Sequence, residues 1–285
     1  MRPAAVAGRF YPAERALLEQ QVDSLLQKTA PLAEFQNNGL RAVRAPAEVA
    51  PRPAIACLVP HAGYIYSGHV AGAVYAQLDL PARFILVGPR HYPRGAQMAI
   101  LSEGAWRTPL GDAQIDAPLA AELRAASPVL REDAVAHQSE HALEVQLPFL
   151  QRRARDFRFV PIALGNVRYD ELELLGSAIA KAVVHAAEPV LIVVSSDMNH
   201  HESDAVTRAK DRKALDRILA LDPQGLFDVV RREQISMCGV GPAVSVLIAA
   251  RDLGATESDL IRYATSGDVN GEREEVVGYA GVVIR

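Results

Sequence analysis

Short apolar runs rich in β-branched residues alternate along this chain with longer stretches whose leucines and alanines recur at helical spacing, a pattern that implies a layered α/β fold. Three of the apolar runs, AIACLVP, RFILVGPR and VLIVVSSDMN, read as buried strands and lead into His61, His91 and His200. A fourth run, REQISM, leads into Cys238. Parallel strands of an open sheet deliver their following loops to one edge, where α/β proteins keep their binding sites. Imidazole and thiolate both ligate transition metals, so four such ends point to a mononuclear metal site.

The periodicity predicts helices over 13–27, 67–79, 117–126, 140–153, 170–186, 203–220, 223–232 and 240–253. Strands are expected over 54–60, 83–88, 96–101, 157–164, 189–195, 259–265 and 276–284. Residues 29–53, with four prolines and Asn37-Asn38-Gly39, read as an irregular connection. No repeat or linker divides the chain, so residues 1–285 are expected to form one domain, with helices packed on the faces of a sheet. Hydrophobic residues make up 49% and charged residues 22%, the balance of a soluble globular protein. A net charge of -4 gives no general attraction to nucleic acid or to an anionic membrane. The N-terminus lacks the apolar stretch of a secretory signal, and no uncharged run approaches membrane-span length. Two cysteines do not make a disulfide framework, which suggests a reducing cytoplasm. Cys57 reads as a core residue, and His69, His185 and His201 as structural or surface residues.

His61 sits between Pro60 and the turn Ala62-Gly63-Tyr64, so it is either a turn residue bonded to a carbonyl or a ligand facing a cleft. His91 repeats that arrangement at a second strand end. Asp197 and His200 offer a ligand plus a proton carrier, or a carboxylate orienting an imidazole; alternatively Ser196 or Asp197 caps a following helix. His137-Gln138-Ser139-Glu140-His141 fits the H-x-x-E-H pattern of a zinc peptidase with Glu140 as general base, but a helix starting near Ser139 leaves His137 outside it. Cys238 precedes a predicted helix whose dipole favours a thiolate, suited to metal ligation or to nucleophilic attack with His200 as base. Its other reading is an inert buried thiol.

Several strings carry a resemblance. Ala7-Gly8-Arg9-Phe10-Tyr11-Pro12, Pro60-His61-Ala62-Gly63-Tyr64-Ile65-Tyr66-Ser67-Gly68, Glu140-His141-Ala142-Leu143-Glu144-Val145-Gln146-Leu147-Pro148-Phe149-Leu150, Ser195-Ser196-Asp197 with His200, and Cys238-Gly239 closely resemble the Memo family. Its prokaryotic members are called AmmeMemoRadiSam system protein B. The matches run in order to Val277-Gly278-Tyr279-Ala280 and so cover essentially the whole chain. The resemblance implies a fold like that of class III non-haem iron extradiol dioxygenases, with His61 and His91 as metal ligands and His200 as the acid–base group. Cys238 stands where those dioxygenases carry a carboxylate ligand, which changes charge donation and metal preference. The resemblance also implies metal-dependent redox activity or peptide binding, beside radical SAM and AMMECR-type proteins.

Taken together, His61, His91 and Cys238 are expected to hold one metal ion, iron or copper ahead of zinc. Asp197, His200 and His141 are expected to line the pocket as proton-transfer or supporting groups. The expected activity is metal-dependent oxidation of a small aromatic molecule. The alternatives are a non-catalytic metal protein that binds a peptide or protein partner, with Tyr64 and Tyr66 as its aromatic wall, and the zinc peptidase of His137, Glu140 and His141.

Overall fold

The computed structural model describes residues 1–27, 53–154 and 156–285, so the connection expected over 29–53 lies outside the described residues but for its last position. Four parallel strands form the centre of a mixed sheet: β1 (Ala56–Val59), β2 (Arg83–Pro89), β7 (Arg158–Leu164) and β8 (Val190–Ser195), in the order β1-β8-β2-β7. The C-terminal strand β11 (Val276–Ile284) runs antiparallel beside β1, and β10 (Ser258–Thr265) lies outside it. On the far side β3 (Met98–Ile100) pairs antiparallel with β7, followed by β6 (Arg131–Glu132).

Successive side chains of a strand point to opposite faces, and both faces here are covered. Leu58, Ile85, Val87, Ile162 and Ile192 join one core with α3 (Ala117–Ala126), α6 (Tyr169–His185), α7 (Asp204–Leu219), α8 (Pro223–Arg232) and α9 (Val240–Asp252). Cys57, Val59, Phe84, Leu86, Phe159 and Val193 join the other with α1 (Arg15–Gln27), α2 (Tyr64–Gln77) and α5 (Leu147–Arg153). Continuous apolar runs are what a doubly covered parallel strand requires, which is why these strands were plain in the sequence.

Short elements account for the differences from the sequence reading. Among the described residues the hairpin β4 (Ala105–Thr108) and β5 (Gly111–Ile115), the strands β6 and β9 (His200–Glu202), and the helices α4 (Ala134–Gln138) and α10 (Gly267–Asn270) are additional. The helix expected over 140–153 is instead a 3-10 turn at Glu144–Gln146 leading into α5. The Glu140 carboxylate accepts the amides of His141 and Ala142, both at 2.9 Å, and this local alternative competes with a helical start. Ser139 ends α4 rather than beginning a helix. Neither Ser196 nor Asp197 starts the helix that follows, since α7 begins at Asp204.

The N-terminal arm is tied to this segment through a buried ion pair. Arg2 reaches the Glu144 carboxylate at 2.6 Å and donates to the carbonyls of His137 (2.6 Å) and Glu140 (2.5 Å). Glu144 also accepts the Tyr11 hydroxyl at 2.6 Å and the amides of Ala5 and Val6. Removing one partner from such a knot leaves buried charge uncompensated, at a typical cost of about 3–5 kcal/mol. Glu144→Ala should therefore lower the guanidinium midpoint by that free energy with an unchanged slope. A loss below about 1 kcal/mol would mean that water replaces the carboxylate at little cost.

Candidate metal centre

The parallel registers bring three strand ends to one edge. Val59 lies opposite Ser195, Val87 opposite Val194, and Pro89 opposite Leu164. The Ser196 amide donates to the Val59 carbonyl and the Arg90 amide to the Leu164 carbonyl, so the chain stays in register just past the strands. His61, His91 and Asp197 therefore start from neighbouring points.

His61 is buried, and its tautomer follows from its partners. Ser195 Oγ donates its one proton to the Ala142 carbonyl at 2.6 Å and accepts from Gln146 Nε2 at 2.9 Å. His61 Nδ1, at 3.0 Å from the same oxygen, must then be the donor. That leaves the lone pair on Nε2, which lies 3.3 Å from Cys238 Sγ. Burial, and then the nearby His91, lower the His61 pKa to about 3, so the ring is neutral. Its amide donates to Asp197 Oδ1 at 2.7 Å, which fixes the backbone.

His91 is held by Glu140, which is fully buried. Oε2 accepts the His91 amide at 2.6 Å and Oε1 accepts Nδ1 at 2.8 Å. Burial alone would raise the Glu140 pKa; the hydrogen bond and charge of His91, with the amide of Ala142, bring it down to about 2. An ionised carboxylate only accepts, so Nδ1 carries the proton and Nε2 presents the lone pair. The His91 pKa moves the other way: burial lowers it, but the bond to Glu140 prevails and it rises. Nε2 is therefore a position for a proton or a metal ion.

Cys238 arrives from the segment before α9. Gly239, the residue at the helix cap, makes this approach possible: a Cβ there would collide with the Ser196 side chain and stand 2.9 Å from the Ser195 carbonyl oxygen. The thiol accepts the Asp197 amide at 3.3 Å. Burial first, and then the charge of Asp197, raise its pKa, so without a cation it is a thiol. The helix dipole expected to favour thiolate is outweighed by burial. One ring nitrogen each of His61 and His91 and the Cys238 sulfur lie within 4.8 Å of one another.

His200 stands on β9, paired with Val277 of β11. Its Nδ1 lies 2.9 Å from the Ser236 carbonyl, an acceptor, so Nδ1 carries a proton. Asp197 is buried, and burial raises its pKa. His141 stacks on His91 at 4.5 Å between ring centroids, lies 5.6 Å from His61, and meets the edge of Phe10 at 4.8 Å. Burial, and then His61, lower its pKa to about 4.

His137, Glu140 and His141 do not form a peptidase centre. His137 is inside α4, packed beside Trp106 with ring centroids 5.7 Å apart, while His141 lies past the helix end. Among the described residues neither group of converging ligand atoms includes His137. His91, Glu140 and His141 do converge, but the Glu140 oxygens already accept the His91 ring and three backbone amides, which leaves little for a cation. Tyr64 is buried with its hydroxyl on the Val145 carbonyl at 2.6 Å, so it is not a wall of the site, and half-buried Tyr66 packs beside Tyr279. Glu140 as the support of His91, and Ser195 and Gln146 as the support of His61, were not foreseen; nothing in local periodicity announces them.

This arrangement occurs in a chain of known kinship. A family profile described as Memo-like protein matches residues 2–283. A MEMO1 family protein of Methanopyrus kandleri is 37% identical over 288 residues, covering 100% of this chain and 99% of that one. Those of Pyrobaculum arsenaticum and Ignicoccus hospitalis are 39% and 40% identical, each covering 99% of this chain and 98% of its own. The chain belongs to the Memo-like family. A solved structure of an uncharacterised protein from Escherichia coli K12 overlays with a TM-score of 0.48 at 12% identity, covering 78% of this chain and 98% of that one, a likeness too slight to bear on function.

The Glu140 pKa has a consequence for stability. An unfolded glutamate takes up its proton near pH 4.3, the folded one only at about pH 2. The stabilisation is whole above about pH 5 and is lost as pH falls toward 2, because there the unfolded state binds the extra proton. Two pKa units correspond to about 3 kcal/mol. The gap in unfolding free energy between the parent and Glu140→Gln should thus narrow by most of that between about pH 5 and pH 2, by denaturant unfolding at each pH. A gap constant with pH would contradict the assignment.

Proposed function

We propose that this protein holds one mononuclear metal ion on His61, His91 and Cys238 and uses it to oxidise a small aromatic molecule with dioxygen, His200 moving the proton. The carrying observation is the commitment of both ligand histidines through Nδ1, to Ser195 and to Glu140, with their ring nitrogens and the Cys238 sulfur within 4.8 Å. Two imidazoles and a sulfur suit iron, copper or zinc rather than magnesium or calcium, so the residues present fit such a group. Iron or copper, when bound, supplies the redox chemistry.

The chain's own residues do the rest. His200 Nε2 accepts the proton of a substrate hydroxyl, and the Ser236 carbonyl on Nδ1 stabilises the imidazolium that results. Asp197 holds the His61 backbone, and Glu140 keeps the His91 ring from turning. Neutral His141 stacks against His91 and narrows the space around it. A metal-containing module that only binds a peptide is the second reading. It has less support, because buried Tyr64 leaves one of its two aromatic groups out of the site.

Protein purified without air should contain about one metal per chain by elemental analysis. His61→Ala and Cys238→Ala should lose it, His137→Ala should keep it, and Gly239→Ala should weaken it roughly tenfold or more by displacing the sulfur. Loaded protein should consume oxygen with members of a catechol panel, and His200→Ala should slow this by about 10²-fold or more. Full loading without oxygen uptake would sink the oxidative reading and leave the binding one. No metal in the anaerobic parent would sink both.

A further inference from the structure

A buried polar chain stands behind His200. Asp211 of α7 is fully buried; its Oδ1 accepts the Asn199 amide at 2.8 Å and its Oδ2 the Tyr263 hydroxyl at 2.6 Å. Asn199, also fully buried, uses its Oδ1 to accept the Ser236 amide at 3.0 Å and the Ser236 hydroxyl at 3.1 Å. Its amide nitrogen donates to Glu202 at 2.7 Å and to Thr207 at 3.3 Å. Ser236 Oγ in turn accepts the His200 amide at 2.7 Å, and the Ser236 carbonyl accepts His200 Nδ1 at 2.9 Å.

We infer that Asn199 and Asp211 are positioning residues for His200: Asn199 clasps residue 236, Asp211 holds the Asn199 backbone, and together they fix the carbonyl that keeps the imidazole proton on Nδ1 and leaves Nε2 bare. The purpose rests on the proposed role of His200; the tautomer does not. Pairing with β11 already secures the β9 backbone, through the Gly278 amide on the Asn199 carbonyl and the Met198 amide on the Gly278 carbonyl. What the Asn199 side chain adds is a grip on a separate segment, two residues before Cys238. One clasp therefore sets a proton carrier and a metal ligand against each other. The placement is a costly one for an acid. Burial raises the Asp211 pKa to about 7, against the lowering by Tyr263, Asn199 and Arg208, and Glu202 adds to the rise.

The test is long-range proton–nitrogen NMR of the histidine rings in the metal-free full chain. His200 should show a protonated Nδ1 and a bare Nε2. Asn199→Ala and Ser236→Ala should each move its tautomer ratio roughly fivefold or more toward Nε2–H, the effect of losing about one hydrogen bond. His61, held independently by Ser195, should keep its signals and so reports that each variant is folded. If Asn199→Ala disturbs His61 as well, the milder Ser236→Ala decides. A parent His200 protonated at Nε2, or unaltered His200 signals in the folded variants, would overturn the inference. Metal uptake by separate aliquots of the same proteins distinguishes the two ideas. A shifted tautomer in the variants, with a parent that takes up no metal, leaves the clasp standing and removes the metal reading; unshifted variants of a parent that loads metal do the reverse.

Discussion

The site depends on a carboxylate with its acceptor positions filled. Glu140 is out of water, yet it receives the His91 ring and three backbone amides, and so it remains ionised where burial alone would neutralise it. From there the polar side chains recur with purpose: Glu144 anchors the N-terminal arm, and Gln146 links Ser195 to the Pro60 carbonyl and to Tyr75. One short irregular segment thereby fixes the rotation of two imidazoles from behind. A regular helix over 140–146 would present its side chains at helical spacing and give up the amides that Glu140 now holds.

The sheet supplies position and the segment supplies orientation. Parallel strands β1, β8 and β2 place His61, Asp197 and His91 at one edge by register alone, since consecutive strand ends differ by little along the strand axis. Register does not choose which nitrogen of a ring faces inward. That choice is chemical, and it is made by Ser195 for His61, Glu140 for His91 and the Ser236 carbonyl for His200. Three unrelated acceptors bind Nδ1 in each case.

Much of this was legible because the information is local. Runs such as RFILVGP and VLIVVS declare doubly buried strands, and the helix expected over 117–126 is α3, whose cap Asp116 accepts the Leu119 amide at 3.1 Å. The convergence of His61, His91 and Cys238 could be anticipated from strand ends together with the family resemblance. The helix expected over 140–153 failed because leucines at helical spacing there pack against the sheet from a turn and a short helix, not from one long one. The raised pKa of Cys238 lay beyond the sequence for a similar reason. A helix dipole is visible in sequence, whereas the burial and the neighbouring Asp197 that outweigh it arise only from long-range packing.

The ionisation states then say what the site is prepared to accept. His61 is neutral, Cys238 keeps its proton, and the carboxylate charge of Glu140 is spent on His91 rather than offered to the centre. A hard cation seeks several anionic oxygens, and the inner face here offers nitrogen and sulfur instead. A softer metal would draw the proton from the thiol, since coordination deprotonates sulfur outright, and uptake would release acid. Asp197 is 3.9 Å from His61 Nε2, with Oδ1 already accepting the His61 amide. An ionised carboxylate there would balance an incoming positive charge from the side, which a buried site lined only by neutral groups could not do.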